Sequence, residues 1–446
     1  MPSPPERGSH SRERRHLRNY LRLALAAAAA LAAAVALAAC GSSKDGYKGP
    51  AVLPLDSAAA KSASSRTCPQ TVLDVLGRIV LRVYREGVFS ERTASAKALI
   101  GQNVALREAV EHEDPAAAKT AAEALIATGH MTNLRVVTET GRTLVDIGGP
   151  ALTPLNGTVE NADGEPIAKY LTSVWSDVGF IAENNGLAQG QVSLRYQEKT
   201  IASSFPLPDG PLPNEGKITI KGIEYQYTSF PAARYPSGAM RVYLLRSIGG
   251  VQKLCGSSSA ATVINTLSRI ATLIYEAEGG PRTLPQIERV QHNQPLLAAV
   301  AAKDRTATRK AIFGLLNHHI VRMRVSIGGK LFEDVGGPYV LQPVSAELTS
   351  GGRKIGSFTI SIQDDEGYLR LTHRLADLSV LMYMHAVKPP TQRLVKNSLA
   401  KTNPGEVPTS GPYTYEGKHF QVFTINARAF PQGPLTIKVL IPIPYE

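Results

Sequence analysis

The sequence lacks the motifs that mark several classes of protein. Among its 446 residues there are three cysteines and one tryptophan. No dense run of lysine and arginine interleaved with aromatic residues occurs, which argues against nucleic-acid binding despite a formal net charge of +12. Neither G-x-S-x-G nor H-E-x-x-H is present, and no cysteine and histidine residues have the spacing of a metal site. We therefore expect no enzyme, no metal and no other cofactor.

Long apolar runs are confined to the N-terminus. Residues 1–22 carry six arginines, and an uncharged run follows from Leu23 to Ala39. As a helix that run would span about 25 Å, which is short for a membrane crossing. No later segment approaches 18 uninterrupted apolar residues, so we predict no further crossing. Removing residues 1–39, with six arginines and two glutamates, lowers the net charge to +8, which still favours approach to anionic lipid.

The apolar run ends in LAACG, residues 37–41, which resembles the lipobox of bacterial lipoproteins. In that family the cysteine, here Cys40, receives fatty acyl chains such as palmitate and becomes the mature N-terminus. The resemblance implies a signal peptide over residues 1–39 and a lipid anchor on the extracytoplasmic face of the cell membrane. The alternative is an uncleaved anchor with a chance cysteine. Residues 40–67 are small and polar, and we predict a flexible tether there.

The rest of the chain contains an internal repeat at a spacing of about 190 residues. TVLDVLGRIVLRVY (71–84) matches TVINTLSRIATLIY (262–275), with apolar residues at helical spacing. LRVVTETGRTLVDIGGP (134–150) matches MRVSIGGKLFEDVGGP (323–338), and each predicts a β-hairpin around a glycine-bearing turn. SVWSDVGF (Ser173 to Phe180) matches SIQDDEGY (Ser361 to Tyr368) further on. The chain therefore carries one module twice.

The repeat predicts an α+β fold. Each copy has N-terminal helices followed by an antiparallel sheet of about five strands, and each is large enough to bury its own core. The predicted copies are residues 68–246 and 262–446, joined by a linker at 247–261.

Cys68 and Cys255 lie shortly before the first helix of their respective copies. Export implies an oxidising compartment, in which these two thiols can pair. A bridge would close a loop of about 188 residues, worth roughly 5 kcal/mol in the chain-entropy model. Two unpaired, buried thiols are the alternative, because the pairing depends on how far apart the two Cα atoms lie.

The order of the predicted elements resembles the extracellular Cache (PAS-like) sensory domains, once in each half. The segments that carry the resemblance are GRTLVDIGGP, GKLFEDVGGP, GRKIGSFTIS and YEGKHFQVFT. It implies a pocket between the sheet face and its loops for a small molecule such as an amino acid or a carboxylate. Members are usually fused through a transmembrane helix to a signalling module. A lipid anchor in its place implies that any signal passes through a partner protein.

A polar segment of the second copy suggests an anion site. Asp365 and Tyr368 are followed by Arg370, His373 and Arg374 at nearly helical spacing. A short helix would place the two arginines on one face, and guanidinium groups beside an aromatic ring suit a carboxylate ligand. Surface salt bridging is the alternative.

Other residues are candidates for the same site or for a metal. Trp175 and Asp177 are the counterparts in the first copy, where Trp175 either stacks on a ligand or packs on the sheet. The Asp364–Asp365 pair favours a turn or helix cap over a metal. His318 and His319 favour a helix C-terminus.

We thus predict a lipid-anchored, extracytoplasmic protein that binds a small anionic metabolite and acts through a partner protein. The alternative is a structural protein of the cell envelope with closed cores and no pocket.

Overall fold

The computed structural model describes residues 66–205, 207–277, 283–316, 320–337, 340–386, 391–399, 403–430 and 433–444. All of them belong to one compact unit, Leu55–Glu446. The predicted signal peptide, Cys40 and residues 40–65 of the predicted tether lie outside the described residues, as do His318 and His319.

Each half begins with helices and has one further helix among its strands. In the first half they are α1 (Cys68–Glu86), α2 (Glu91–Gly101), α3 (Val104–Glu111), α4 (Pro115–Ala127) and α5 (Asp177–Ala188). A short helix, α6 (Ile248–Gln252), lies in the predicted linker. The second half contains α7 (Ser259–Ala277), α8 (Leu284–Gln291), α9 (Gln294–Ala301), α10 (Arg305–Leu316) and α11 (Asp365–Ala376).

The strands follow the same plan in both halves. The first half contains β1 (Asn133–Thr138), β2 (Thr143–Gly148), β3 (Ala151–Leu152), β4 (Leu155–Glu160), β5 (Pro166–Ser173), β6 (Trp175–Ser176), β7 (Gln191–Tyr196), β8 (Lys199–Ser203), β9 (Glu215–Ile220), β10 (Ile223–Ala233) and β11 (Ala239–Ser247). The second half contains β12 (Arg322–Ile327), β13 (Lys330–Gly336), β14 (Val340–Leu341), β15 (Val344–Ser350), β16 (Arg353–Ser361), β17 (Ser379–Ala386), β18 (Thr391–Asn397), β19 (Gly411–Tyr415), β20 (Lys418–Phe430) and β21 (Gly433–Ile443).

Local sequence accounts for the helix boundaries. The stripe Val72, Leu76, Ile79 and Val83 is at most 1% exposed along α1, as its spacing predicts. Asp114 caps α4, because its Oδ1 accepts hydrogen bonds from the backbone of the two residues after Pro115, at 2.9 and 3.1 Å.

Each half contains two main antiparallel sheets. The small sheets have the orders β2-β1-β5-β4 and β13-β12-β16-β15. The large sheets have the orders β8-β7-β11-β10-β9 and β18-β17-β21-β20, and β20 also pairs with β14 and β19. Equivalent strands therefore pair in the same order, which confirms an α+β fold built from two tandem repeats.

Each copy contains a second main antiparallel sheet beside the predicted one of about five strands. The sequence predicts a turn or a helix cap for the acidic segment that follows β16. This segment begins α11, and its counterpart after β5 begins α5, each helix being 12 residues long. These helices carry the chain away from the small sheet, so the strands after them build a separate one.

The two halves share their central core, although the sequence predicted a separate core for each copy. Leu76 and Ile79 of α1 belong to the same buried cluster as Leu267, Ile270 and Ile274 of α7, and all five are at most 3% exposed. A helix that covers a sheet with one face leaves part of its circumference uncovered, and pairing α1 with α7 buries that remainder. The small sheets, with α2–α4 and α8–α10, have cores of their own.

The structure joins Cys68 and Cys255 in a disulfide, with their Cα atoms 5.7 Å apart. Cys68 is the first residue of α1, and Cys255 lies between α6 and α7. The bond therefore fastens the N-terminal end of α1 to the segment that leads into the second half.

We predict that the variant Cys68→Ser/Cys255→Ser loses about 2–5 kcal/mol of unfolding free energy, because the bond spans 187 residues of chain that its loss frees in the unfolded state. Urea unfolding of the oxidised protein, the reduced protein and the double variant measures this. The reduced protein should match the double variant, and an unfolding midpoint that reduction leaves unchanged would contradict the prediction.

Candidate functional site

The repeated motif, residues 173–180 and 361–368, joins each small sheet to the next helix and is held by side-chain hydrogen bonds. The Ser173 hydroxyl donates to the Leu152 carbonyl and accepts the N–H of Trp175 at 3.1 Å. Ser361 makes the equivalent bonds to Leu341 and to Gln363. These bonds anchor the end of β5 and of β16 to the short strand beside it.

The N-caps come next in the motif. Ser176 accepts the N–H of Gly179 at 3.1 Å, and Asp364 accepts that of Gly367 at 2.6 Å. The predicted cap role of Asp364 is therefore confirmed. The described residues contain no group of three or more His, Cys, Asp or Glu side chains placed to hold a metal ion.

The aromatic residue that ends each motif is buried in the shared core. Phe180 and Tyr368 are 0% exposed, and each meets a tyrosine of a long helix edge-on, Tyr84 or Tyr275, at 6.4 Å between ring centroids. The Tyr368 hydroxyl donates to the Ala271 carbonyl at 2.9 Å, and burial raises the pKa of that hydroxyl. Tyr368 therefore fills the space beneath α11, where the sequence predicted a bound ligand.

The two acidic residues at the start of α5 and α11 are also buried. Asp177 is 5% exposed and Asp365 is 4% exposed. Burial raises the pKa of both carboxyls, opposed by Arg234 near Asp177 and by Lys396 near Asp365. The Lys396 Nζ lies 3.4 Å from Asp365 Oδ2. Both acids thus lie in the interior, at helix N-termini that favour negative charge.

The basic residues of α11 lie on its opposite face. The helix that the spacing predicted does form, and Arg370, His373 and Arg374 are exposed along it. His373 Nδ1 lies 3.5 Å from Asp377 Oδ1, and Arg374 forms an ion pair with Glu86 of α1. The five residues proposed as one anion site are therefore divided, because positions 365 and 368 face the core whereas 370, 373 and 374 face solvent.

The Trp175 side chain contacts the C-terminal end of α1. Its Nε1 donates to the Val83 carbonyl at 3.2 Å, and its ring meets Phe180 edge-on at 6.1 Å. The guanidinium carbon of Arg92 stands 5.3 Å from the centre of the ring, a cation–π contact.

Charged residues interact with Glu86 at the boundary between the halves, next to Trp175. We call Glu86, Arg92, Trp175, Glu183 and Arg374 the seam cluster. Burial raises the pKa of Glu86 to about 7, although Arg374 beside it acts in the opposite direction, and Glu183 raises it further. The pKa of Arg92 is lowered by burial.

A solvent-open groove of about 210 Å³ lies between α1 and β10. The residues that line it combine two guanidinium groups, one carboxylate, two hydroxyls and apolar walls: Arg66, Asp74, Gly77, Arg78, Leu81, Thr228, Ser229 and Phe230. Each of these residues is partly exposed. The groove offers an anion a positively charged site with a carboxylate beside it.

Gly77 lies where α1 packs closely against β10, beside this groove. A Cβ at Gly77 would stand 3.0 Å from Thr228 Cγ2, so the glycine lets α1 approach β10 closely. Arg66 forms an ion pair with Asp74, and Arg241 donates to the Ser229 hydroxyl at 3.1 and 3.3 Å. The sequence predicted no groove here, although Gly77 between Asp74 and Arg78 was a visible signal.

Comparison with known proteins finds no matching family model and no matching curated protein. Among solved structures, an extracellular ligand binding receptor from Desulfohalobium retbaense DSM5692 is similar, at 14% identity and a TM-score of 0.24, over 40% of this chain and 39% of that one. The ligand-binding domain of Pseudomonas fluorescens chemoreceptor CtaA in complex with L-isoleucine is similar at 12% identity and a TM-score of 0.24, over 40% of this chain and 95% of that one. The same domain in complex with L-serine is similar at 13% identity and a TM-score of 0.23, over 37% of this chain and 92% of that one.

We predict that Tyr368→Ala lowers the free energy of unfolding by about 3–5 kcal/mol, as expected for a large aromatic side chain removed from a core. Arg370→Ala, two residues away on the exposed face, should change it by no more than about 0.5 kcal/mol. Urea unfolding of both variants measures the difference. Equal stability of the two variants would contradict the burial of Tyr368.

Proposed function

We propose that this protein is a lipid-anchored, extracytoplasmic binding protein for a small carboxylate, amino acids included, and that it acts through a partner protein rather than by catalysis. The observation that carries the proposal is the composition of the groove between α1 and β10. Two arginines and one aspartate line it, so it has an excess of one positive charge.

The chemistry of the lining supports a carboxylate ligand. Guanidinium groups bind carboxylates through paired hydrogen bonds, and Arg66 and Arg78 border the same space. Asp74 can receive a ligand ammonium group, and the Thr228 and Ser229 hydroxyls add further polar partners. Leu81 and Phe230 supply apolar walls, so the lining suits a ligand that carries an apolar side group.

The lipid anchor places this site outside the cytoplasmic membrane. Its support is the lipobox-like LAACG sequence, and a tether of the predicted length reaches roughly 30 Å. No helix among the described residues is long and apolar enough to span a membrane. A bound ligand would then be read by a second protein at the membrane surface.

We expect small carboxylates to stabilise the mature chain, because a ligand that binds only the folded state raises the melting temperature. A thermal-shift screen of amino acids and carboxylic acids identifies the best ligand. Arg78→Ala should then weaken its binding at least about tenfold, as expected for a lost charged hydrogen bond.

Arg269 provides the matched control for this experiment, because it occupies the position of Arg78 on α7 and does not line the groove. Arg269→Ala should leave the affinity unchanged. If no compound stabilises the protein, or if both substitutions weaken binding equally, the groove is not the site.

The structural alternative has one observation in its favour. Tyr368 and Phe180 close the interior beneath α5 and α11, where the sequence analysis expected a pocket. A protein of the cell envelope with filled cores would show this arrangement, and a screen without any stabilising compound would support that function instead.

We also predict that Cys40→Ser abolishes incorporation of labelled palmitate and releases the protein from the membrane fraction, because the acylated thiol is the proposed anchor. Cys68→Ser/Cys255→Ser retains Cys40 and should still be labelled. Membrane association of Cys40→Ser equal to that of the wild type would contradict a lipid anchor.

A further inference from the structure

Helix α1 is fastened at both of its ends, to the linker at its first residue and to the second half at its last. Its first residue, Cys68, forms the disulfide with Cys255. Its last residue, Glu86, forms an ion pair with Arg374 of α11. One of these links is covalent, whereas the other depends on the charge of a carboxyl group.

The carboxyl group in question is shielded from solvent. The Glu86 side chain is 14% exposed, whereas that of Arg374 is 43% exposed. Three elements other than α1 bring charged groups to Glu86: α11 brings Arg374, α5 brings Glu183 and α2 brings Arg92. Two carboxylates and two guanidinium groups therefore face one another at this boundary.

This arrangement makes Glu86 sensitive to pH near neutrality. Removal from water disfavours the carboxylate form, and the neighbouring Glu183 disfavours it further. Arg374 and Arg92 oppose these effects without cancelling them, and the pKa rises from 4.5 to about 7. An isolated surface glutamate is almost fully ionised near pH 7.

We propose that protonation of Glu86 releases Arg374, so that the contact between the C-terminal end of α1 and the second half depends on pH. The inference concerns a different part of the protein from the groove and does not rest on the proposed ligand.

Trp175 provides a reporter at the same place. It is the only tryptophan of the chain, and its Nε1 binds the Val83 carbonyl, three residues before Glu86. Arg92, which faces both Glu86 and Glu183, stands over its ring. A change in the charge of Glu86 therefore changes the electrostatic surroundings of the indole.

The direction of the stability effect follows from the raised pKa. Between pH 4.5 and about 7 the folded state binds more protons at Glu86 than the unfolded state does. The contribution of this group to stability is fully present below pH 4.5 and is lost as the pH rises through about 7. Glu86→Gln should remove this dependence on pH.

The experiment is a pH titration of tryptophan fluorescence on the full mature chain from pH 5.5 to 8.5. The wild type should show one transition near pH 7, and Glu86→Gln should show none. Arg374→Gln removes an opposing cation and should move the midpoint to higher pH, whereas Glu183→Gln should move it to lower pH. Glu276→Gln, on the exposed side of α7, should leave the midpoint in place.

Amide hydrogen exchange in the last turn of α1, corrected for the intrinsic rate, provides the second measurement. Exchange in that turn should change between pH 6 and pH 8 in the wild type and not in Glu86→Gln. The proposal is overturned if the fluorescence transition persists in Glu86→Gln, if no transition occurs, or if the last turn of α1 exchanges alike at both pH values. It is equally overturned if Arg374→Gln leaves the midpoint unmoved.

Discussion

The packing of α1 against α7 is the interaction on which the rest of the structure depends. Each long helix covers the inner face of one large sheet, and the apolar side that remains can be buried only against the other helix. The duplicated chain therefore forms one body with a common centre, to which the two small sheets are added with cores of their own. The disulfide and the seam cluster act on the ends of this same helix pair, and the groove lies along the face that α1 turns toward β10. A change in the position of α1 would thus reach all three.

Both halves contain a cation–π contact on the large sheet, although different residues form it. Beneath the outer face of the first large sheet, the Arg195 guanidinium carbon stands 5.6 Å from the centre of the Tyr243 ring. In the second half the pair is exchanged between the same two strands, with Tyr383 on β17 and Lys438 on β21, 4.7 Å from the Lys438 Nζ to the ring centre. The two halves therefore differ at both matching positions. Each half nevertheless has a cation–π contact between the same two strands.

Local patterns predicted the elements that depend on neighbouring residues. The apolar stripe of α1 and the helix that begins at Asp365 each follow from spacings of three or four residues, and each forms. The same spacing also contained the information that Asp365 and Tyr368 face away from Arg370. These residues are close in sequence and were therefore predicted to form one site. In a helix, however, their side chains point toward different faces.

The sequence by itself determined that this chain holds a duplicated α+β unit, because repeats, caps and hairpin turns are written in residues a few positions apart. It also carries the lipobox-like segment around Cys40, whose recognition needs no fold. Only the tertiary structure decided that the copies share a core, that Cys68 meets Cys255, and that Arg66 and Arg78 border one groove with Ser229. The physical reason is that these contacts join residues from about 150 to 190 positions apart, whose distance is set by how helices and sheets pack and not by any local preference of the chain.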